Sequence, residues 1–179
     1  MELLAPAGNF DKLVTAVHFG ADAVYFSGKK FGLRAFAGNF DTEEIFKAMD
    51  YLHAHGKKGY VTLNIVATDE DFDGLDEYLS QLSRAKVDGL IVSDVGLIYY
   101  IRKNFPEINV HVSTQANVNN SQSAKFFANL GCTRIVLARE LNLEQISLLH
   151  QNLGDKVELE AFVHGAMCIS YSGRCLISQ

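Results

Sequence analysis

Cysteine is scarce in this chain: Cys132, Cys168 and Cys175 are the only three among 179 residues. A sparse, odd set excludes the disulfide framework of a small secreted scaffold and points to thiols kept for binding, redox work or packing. Long apolar runs are missing as well. Nothing approaches the roughly 18 uninterrupted apolar residues of a membrane span. The opening MELLAPAGNFDK has no basic stretch leading into a long apolar one, so no secretory signal is expected and the expected location is cytoplasmic. Positive charge is not in excess either. A formal net charge of −5 argues against an overall basic nucleic-acid footprint while leaving room for a local one. No Gly-rich dinucleotide fingerprint opens the first helix, because "APAGNF" lacks its spacing. Peptidase signatures are absent too: no Ser-His-Asp order, His-Glu-x-x-His motif or acidic dyad presents itself.

What is present is a regular alternation. The apolar fraction of 48% and charged fraction of 21% are those of a globular protein. Short β-branched runs read as strands at Glu2 to Pro6, Asp22 to Gly28, Tyr60 to Val66, Gly89 to Asp94, Asn109 to Thr114, Arg134 to Arg139 and Val157 to Gly165. Most are near-continuous apolar runs, as expected of parallel strands covered on both faces. Helices fill the gaps. Asn9 caps the first and Gly20 ends it, Asp41 with Glu44 resembles a capping box, and Leu75, Leu79 and Leu82 mark the third. The fourth carries Leu97, Ile98 and Ile101 and halts at Pro106, the fifth runs from Ser121 to Leu130, and Asn142 with Gln145 opens the sixth.

Strict alternation with short connections predicts a parallel sheet with right-handed crossovers, best read as a TIM-type (β/α) barrel. A complete eight-fold barrel takes about 250 residues. The expectation is one α/β domain over residues 1–179 with about seven of eight strands, cut short at its C-terminal end. No linker or low-complexity segment divides it.

In such a barrel the carboxyl ends of the strands form the active rim. There the sequence puts Asn64, Ser113, Gln115, Arg139, Glu140 and His164 as candidates to touch a substrate. Asp94 and Asn142 are better read as helix caps. Arg139, following an apolar strand, suits either a bidentate hold on a carboxylate or phosphate or a local ion pair. The loop GKKFGLRAFAGNF, Gly28 to Phe40, mixes basic residues with Phe31, Phe36 and Phe40. That mix serves either nucleic-acid stacking or, slightly favoured, closure of one barrel end. His18, His53, His55 and His150 read as solvated helix-end residues, His111 as a packed strand residue and Cys132 as a small buried hydrophobe. Cys168 and Cys175 follow the seventh strand. Thiolates there serve as a nucleophile, a zinc site or iron–sulfur ligands, and each metal reading requires ligands beyond this chain.

The run "ELEAFVHGAMCISYSGRCLIS" resembles the signature of the collagenase-like peptidase family, U-thirty-two. "ELLAPAGNFDKLVTAVHFGADAVYFSG", "VSTQANVNN" and "VLARELNLEQI" extend the resemblance over essentially the whole chain, and "GLRAFAGNF" with "MCISYSGRC" is most similar to the transfer-RNA hydroxylation subgroup. The resemblance implies a 4Fe-4S cluster held by four cysteines, the first two matching Cys168 and Cys175 as metal ligands and the others lying downstream. It implies oxygen-independent hydroxylation at carbon five of a transfer-RNA wobble uridine, with prephenate as oxygen source; other relatives work on ribosomal RNA or ubiquinone. It implies an N-terminal fragment that by itself holds the cluster poorly or not at all and is inactive. A peptidase acting on peptides, as the family name says, or a non-catalytic partner subunit in a homo- or hetero-oligomer are the alternatives. No membrane partner is expected.

Overall fold

The computed structural model describes residues 1–32 and 39–174. Seven strands are ordered in chain sequence through one parallel sheet, each separated from the next by helix, which is the TIM-type (β/α) order that the alternation predicts. The chain divides into two compact units, Met1–Ile91 and Val92–Gln179.

The first unit runs β1 (Leu4–Pro6), α1 (Phe10–His18), β2 (Ala23–Ser27), α2 (Thr42–Ala54), β3 (Lys58–Leu63), α3 (Leu75–Arg84) and most of β4 (Gly89–Val92), whose last residue belongs to the second. Local chemistry sets the helix starts. Asn9 Oδ1 accepts from Lys12 N at 3.0 Å, and Asp41 and Glu44 form the reciprocal capping box, with Glu44 N donating to Asp41 Oδ1 at 2.9 Å and Asp41 N donating to Glu44 Oε2 at 2.8 Å. Leu13, Ile45, Met49, Leu52, Leu75, Leu79 and Leu82 turn to the sheet and are buried. Period-3.6 spacing has thus become a packed face. Helix α2 lies so close on β3 that a Cβ at Gly59 would collide with Met49 Sδ and stand 2.8 Å from Leu52 Cδ1. The other sheet face gathers Ala23, Tyr60 and Ile91 with Leu4 and Tyr25.

The second unit holds α4 (Val95–Asn104), β5 (Val110–Val112), α5 (Ser121–Asn129), β6 (Arg134–Val136), α6 (Leu143–Leu153) and β7 (Glu158–Glu160). Asp94 and Asn142 cap α4 and α6, accepting from Leu97 N and Gln145 N, both at 2.9 Å. Strands β5, β6 and β7 are in parallel register, with His111 beside Arg134 and Arg134 beside Glu158. Paired residues share a face, so this face is polar. Arg134, buried, donates to Glu158 Oε2 from Nε at 2.8 Å and Nη2 at 2.6 Å, and to Glu160 Oε2 from Nη1 at 3.4 Å. Burying a guanidinium requires such pairing, since an isolated buried charge is costly.

The strands are shorter than their apolar runs suggest. β7 stops at Glu160, whereas the sequence reads as strand to Gly165. Its pairing with β6 ends at Val136 and Glu160, with Leu137 N donating to Glu160 O at 2.8 Å just beyond. Phe162 and Val163 consequently stand exposed at 43% and 88%. No helix among the described residues is long and apolar enough to cross a membrane.

Candidate functional site

The carboxyl ends of β5, β6 and β7 converge on one cluster within the second unit. Beyond β5, Ser113 is buried and caps a turn of 3-10 helix at Thr114–Ala116, its Oγ accepting from Gln115 N at 3.2 Å. Thr114 Oγ1 donates to Leu137 O at 3.1 Å, which ties the end of β5 to the end of β6. Beyond β6 come Arg139 and Glu140, and beyond β7 the chain passes His164 to reach Cys168.

Arg139 takes neither of the roles its sequence position suggests. Its guanidinium donates to the backbone oxygen of Cys168 from Nη1 at 2.5 Å and to that of Ser170 from Nη2 at 2.6 Å. Its Nε and backbone N both donate to Ser172 Oγ, at 3.3 and 3.2 Å. Glu140 completes the hold, Oε1 accepting from Ser172 N at 2.8 Å. Burial would raise the Glu140 carboxyl, but the Ser172 amide and hydroxyl and the neighbouring Arg139 outweigh it and hold it below its usual value. Ser172 is thereby 2% exposed inside an otherwise exposed segment.

A third contact comes from β5. Gly173 has φ +73, where side chains are strained, and a Cβ on it would collide with Gln115 O. The glycine lets the loop backbone lie against the Gln115 backbone. Cys168 is a free, exposed thiol whose sulfur accepts from Ser170 N at 3.4 Å.

The remaining candidates fall elsewhere. His164 is exposed, with no hydrogen-bond partner among the described residues. Asn64 lies in the first unit beyond β3, its Oδ1 buried without a partner among the described residues. Cys175, with Arg34 and Phe36 of the Gly28–Phe40 loop, lies outside the described residues. The described ends of that loop pack within the first unit. Phe40 is buried against Phe26 with ring centroids 4.6 Å apart, Phe31 stands 5.2 Å from Tyr78, and Lys29 pairs with Asp41 at 3.0 Å. His53 is not merely solvated: its Nε2 lies 3.1 Å from Asp88 Oδ2. His111 and Cys132 are buried as expected. Ser172 is the residue the sequence reading missed, since a buried serine between glycine and tyrosine has no distinguishing pattern.

Among the described residues no group of three or more His, Cys, Asp or Glu side chains could hold a metal ion. Cys132 cannot join Cys168, because it precedes β6 and so sits at the opposite end of that strand from Arg139. The donor chemistry at Cys168 nonetheless suits a sulfur-ligated group: an exposed thiol, an amide donor to its sulfur, and a loop anchored on two strand ends.

Fold and site together define a (β/α)-barrel protein with a clamped cysteine loop on its carboxyl rim. The chain belongs to peptidase family U32, whose model matches residues 8–179. It is 46% identical over 178 residues to tRNA hydroxylation protein P1 of Bacillus subtilis, covering 99% of this chain and 42% of that protein. It is 40% identical over 179 residues to a 23S rRNA 5-hydroxycytidine synthase of Escherichia coli, covering 100% and 26%. A collagenase of Porphyromonas gingivalis is 35% identical over 187 residues, covering 99% and 44%. The chain therefore spans less than half the length of these relatives. A U32 peptidase of solved structure superposes with a TM-score of 0.75 at 21% identity, covering 90% of this chain and 68% of that one, a likeness of fold.

Proposed function

We propose that this chain is the barrel portion of an RNA-modifying redox enzyme that hydroxylates a transfer-RNA wobble uridine without molecular oxygen, with Cys168 and Cys175 supplying two of four ligands to a 4Fe-4S cluster. The observation that carries the reading is the anchored loop. A cysteine that acts as a surface thiol needs no arginine and glutamate spent on the backbone around it; a cysteine that must meet a cofactor at a fixed point does. The names of the relatives favour RNA over peptide: tRNA hydroxylation proteins of Bacillus subtilis and Escherichia coli are 46% and 41% identical.

The peptidase reading has less support at the site. A thiol peptidase pairs its cysteine with a histidine in hydrogen-bond reach. Here the Cys168 sulfur accepts from the Ser170 amide instead.

When bound, the cluster supplies one-electron chemistry. The chain's own residues do the positioning: Arg139, Glu140 and Ser172 fix the loop, and the amide of Ser170 stabilises negative charge on sulfur. With Cys132 buried at the far end of β6, the proposed ligands from these 179 residues are Cys168 and Cys175, and the other two come from the rest of the whole protein. The wobble uridine and prephenate, as oxygen source, bind on the carboxyl rim.

Anaerobic purification of the protein at full native length tests this. The expected product is brown and carries about four iron atoms per chain, as the cluster type requires. A colourless, iron-free protein contradicts the reading.

A further inference from the structure

The hydrogen bonds of Arg139 fix more than the path of the loop; they fix which way its peptides face. The carbonyl oxygens of Cys168 and Ser170 both turn to the guanidinium, at 2.5 and 2.6 Å. A trans peptide is planar, and its N–H points opposite its C=O. The N–H groups of Ile169 and Tyr171 must therefore point away from Arg139, and neither has a partner among the described residues. Both side chains are exposed, at 103% and 70%. The amide between them, Ser170 N, is already donated to Cys168 Sγ. The Cys168 and Ser170 oxygens thus face the guanidinium, the Ile169 and Tyr171 amide hydrogens face away from it, and the Cys168 thiol is exposed. That is the polarity an anionic sulfur group requires, because thiolates and bridging sulfides accept hydrogen bonds and are repelled by carbonyl oxygens.

We propose that Arg139 and Glu140 are positioning residues for Cys168, holding the 168–172 backbone, before any cofactor binds, in the orientation that offers its thiolate and amide hydrogens to a sulfur-ligated cluster. This rests on the reading of Cys168 as a cluster ligand. Geometry and not charge alone does the work: a guanidinium fork spans two carbonyls and the Ser172 hydroxyl together, which a lysine ammonium cannot. Glu140 holds the far end by accepting from Ser172 N, and Gly173 seats the next peptide against Gln115.

The test uses the protein at full native length, purified anaerobically as wild type and as Arg139→Gln, Arg139→Lys, Glu140→Gln and Ser172→Ala. Three readouts are taken: iron release to an added ferrous chelator, the low-temperature EPR spectrum of the reduced protein, and the midpoint potential. Outer-shell positions of metal sites change affinity by about 10–100-fold. Arg139→Gln and Arg139→Lys are therefore both expected to release iron about tenfold or more faster than wild type, with altered EPR line shape. Ser172→Ala and Glu140→Gln, which each remove part of the hold, fall between. Should Arg139→Gln fail to fold by thermal unfolding, Ser172→Ala decides: faster release with a changed spectrum supports the inference. Wild-type release, spectrum and potential in the Arg139 variants, or full rescue by Arg139→Lys, overturn it while leaving the cluster reading intact. An iron-free wild type overturns the cluster reading and the inference with it.

Discussion

Arg139 spends its guanidinium on backbone oxygens some thirty residues downstream, and no pattern around it foretells that. From the sequence an arginine after an apolar strand reads as an anion holder or half of an ion pair, both side-chain roles. Carbonyl acceptors carry no residue-type signal, so the partner could not be read. Ser172 and Gly173 are of the same kind: what matters is a hydroxyl and an absent Cβ at one point in space. Gly173→Ala should therefore loosen the loop, seen as faster alkylation of Cys168 in the iron-free protein; an unchanged rate would show that the contact with Gln115 does not hold it. Glu140 predicts a pH dependence. Its carboxyl is depressed in the folded chain, so its contribution is present above its usual value of 4.5 and is lost as pH falls through the lower folded value. The Ser172 amide resonance should shift with that protonation in the wild type and stay flat in Glu140→Gln.

At the scale of elements, helix starts were legible and strand ends were not. Asn9, Asp41, Asp94 and Asn142 cap helices because a short acceptor before an apolar stripe is a local signal. Asn142→Ala should cost about 1 kcal/mol, the usual worth of an N-cap, read by urea unfolding. Strand β7 misleads because hydrophobicity continues through Phe162 and Val163, beyond the last paired residue, Glu160. Pairing is a two-strand property and is invisible in one run of sequence. Gly59 shows the same limit in packing. Its place in β3 looks like a weak point, yet α2 lies where its side chain would be. Gly59→Ala should destabilise by about 1–3 kcal/mol through overpacking, and a neutral result in denaturant would show that Met49 and Leu52 give way easily.

For the whole molecule, strict alternation of strand and helix made the barrel order plain, because a parallel ladder demands a crossover and chain-order pairing is its simplest outcome. The placement of Cys168 on the carboxyl rim followed from the same regularity. The clamp that anchors its loop did not, since it joins residues from three strand ends through backbone atoms. The chain belongs to peptidase family U32, and the proposed RNA-modifying role makes Cys168 indispensable. The most direct measurement is mass spectrometry of nucleosides from transfer RNA of the strain of origin, with the gene deleted and then restored at full native length. 5-Hydroxyuridine-derived nucleosides should fall to background on deletion, return with the wild-type gene and stay absent with Cys168→Ala. Unchanged nucleosides in the deletion strain, or full restoration by Cys168→Ala, would contradict the account.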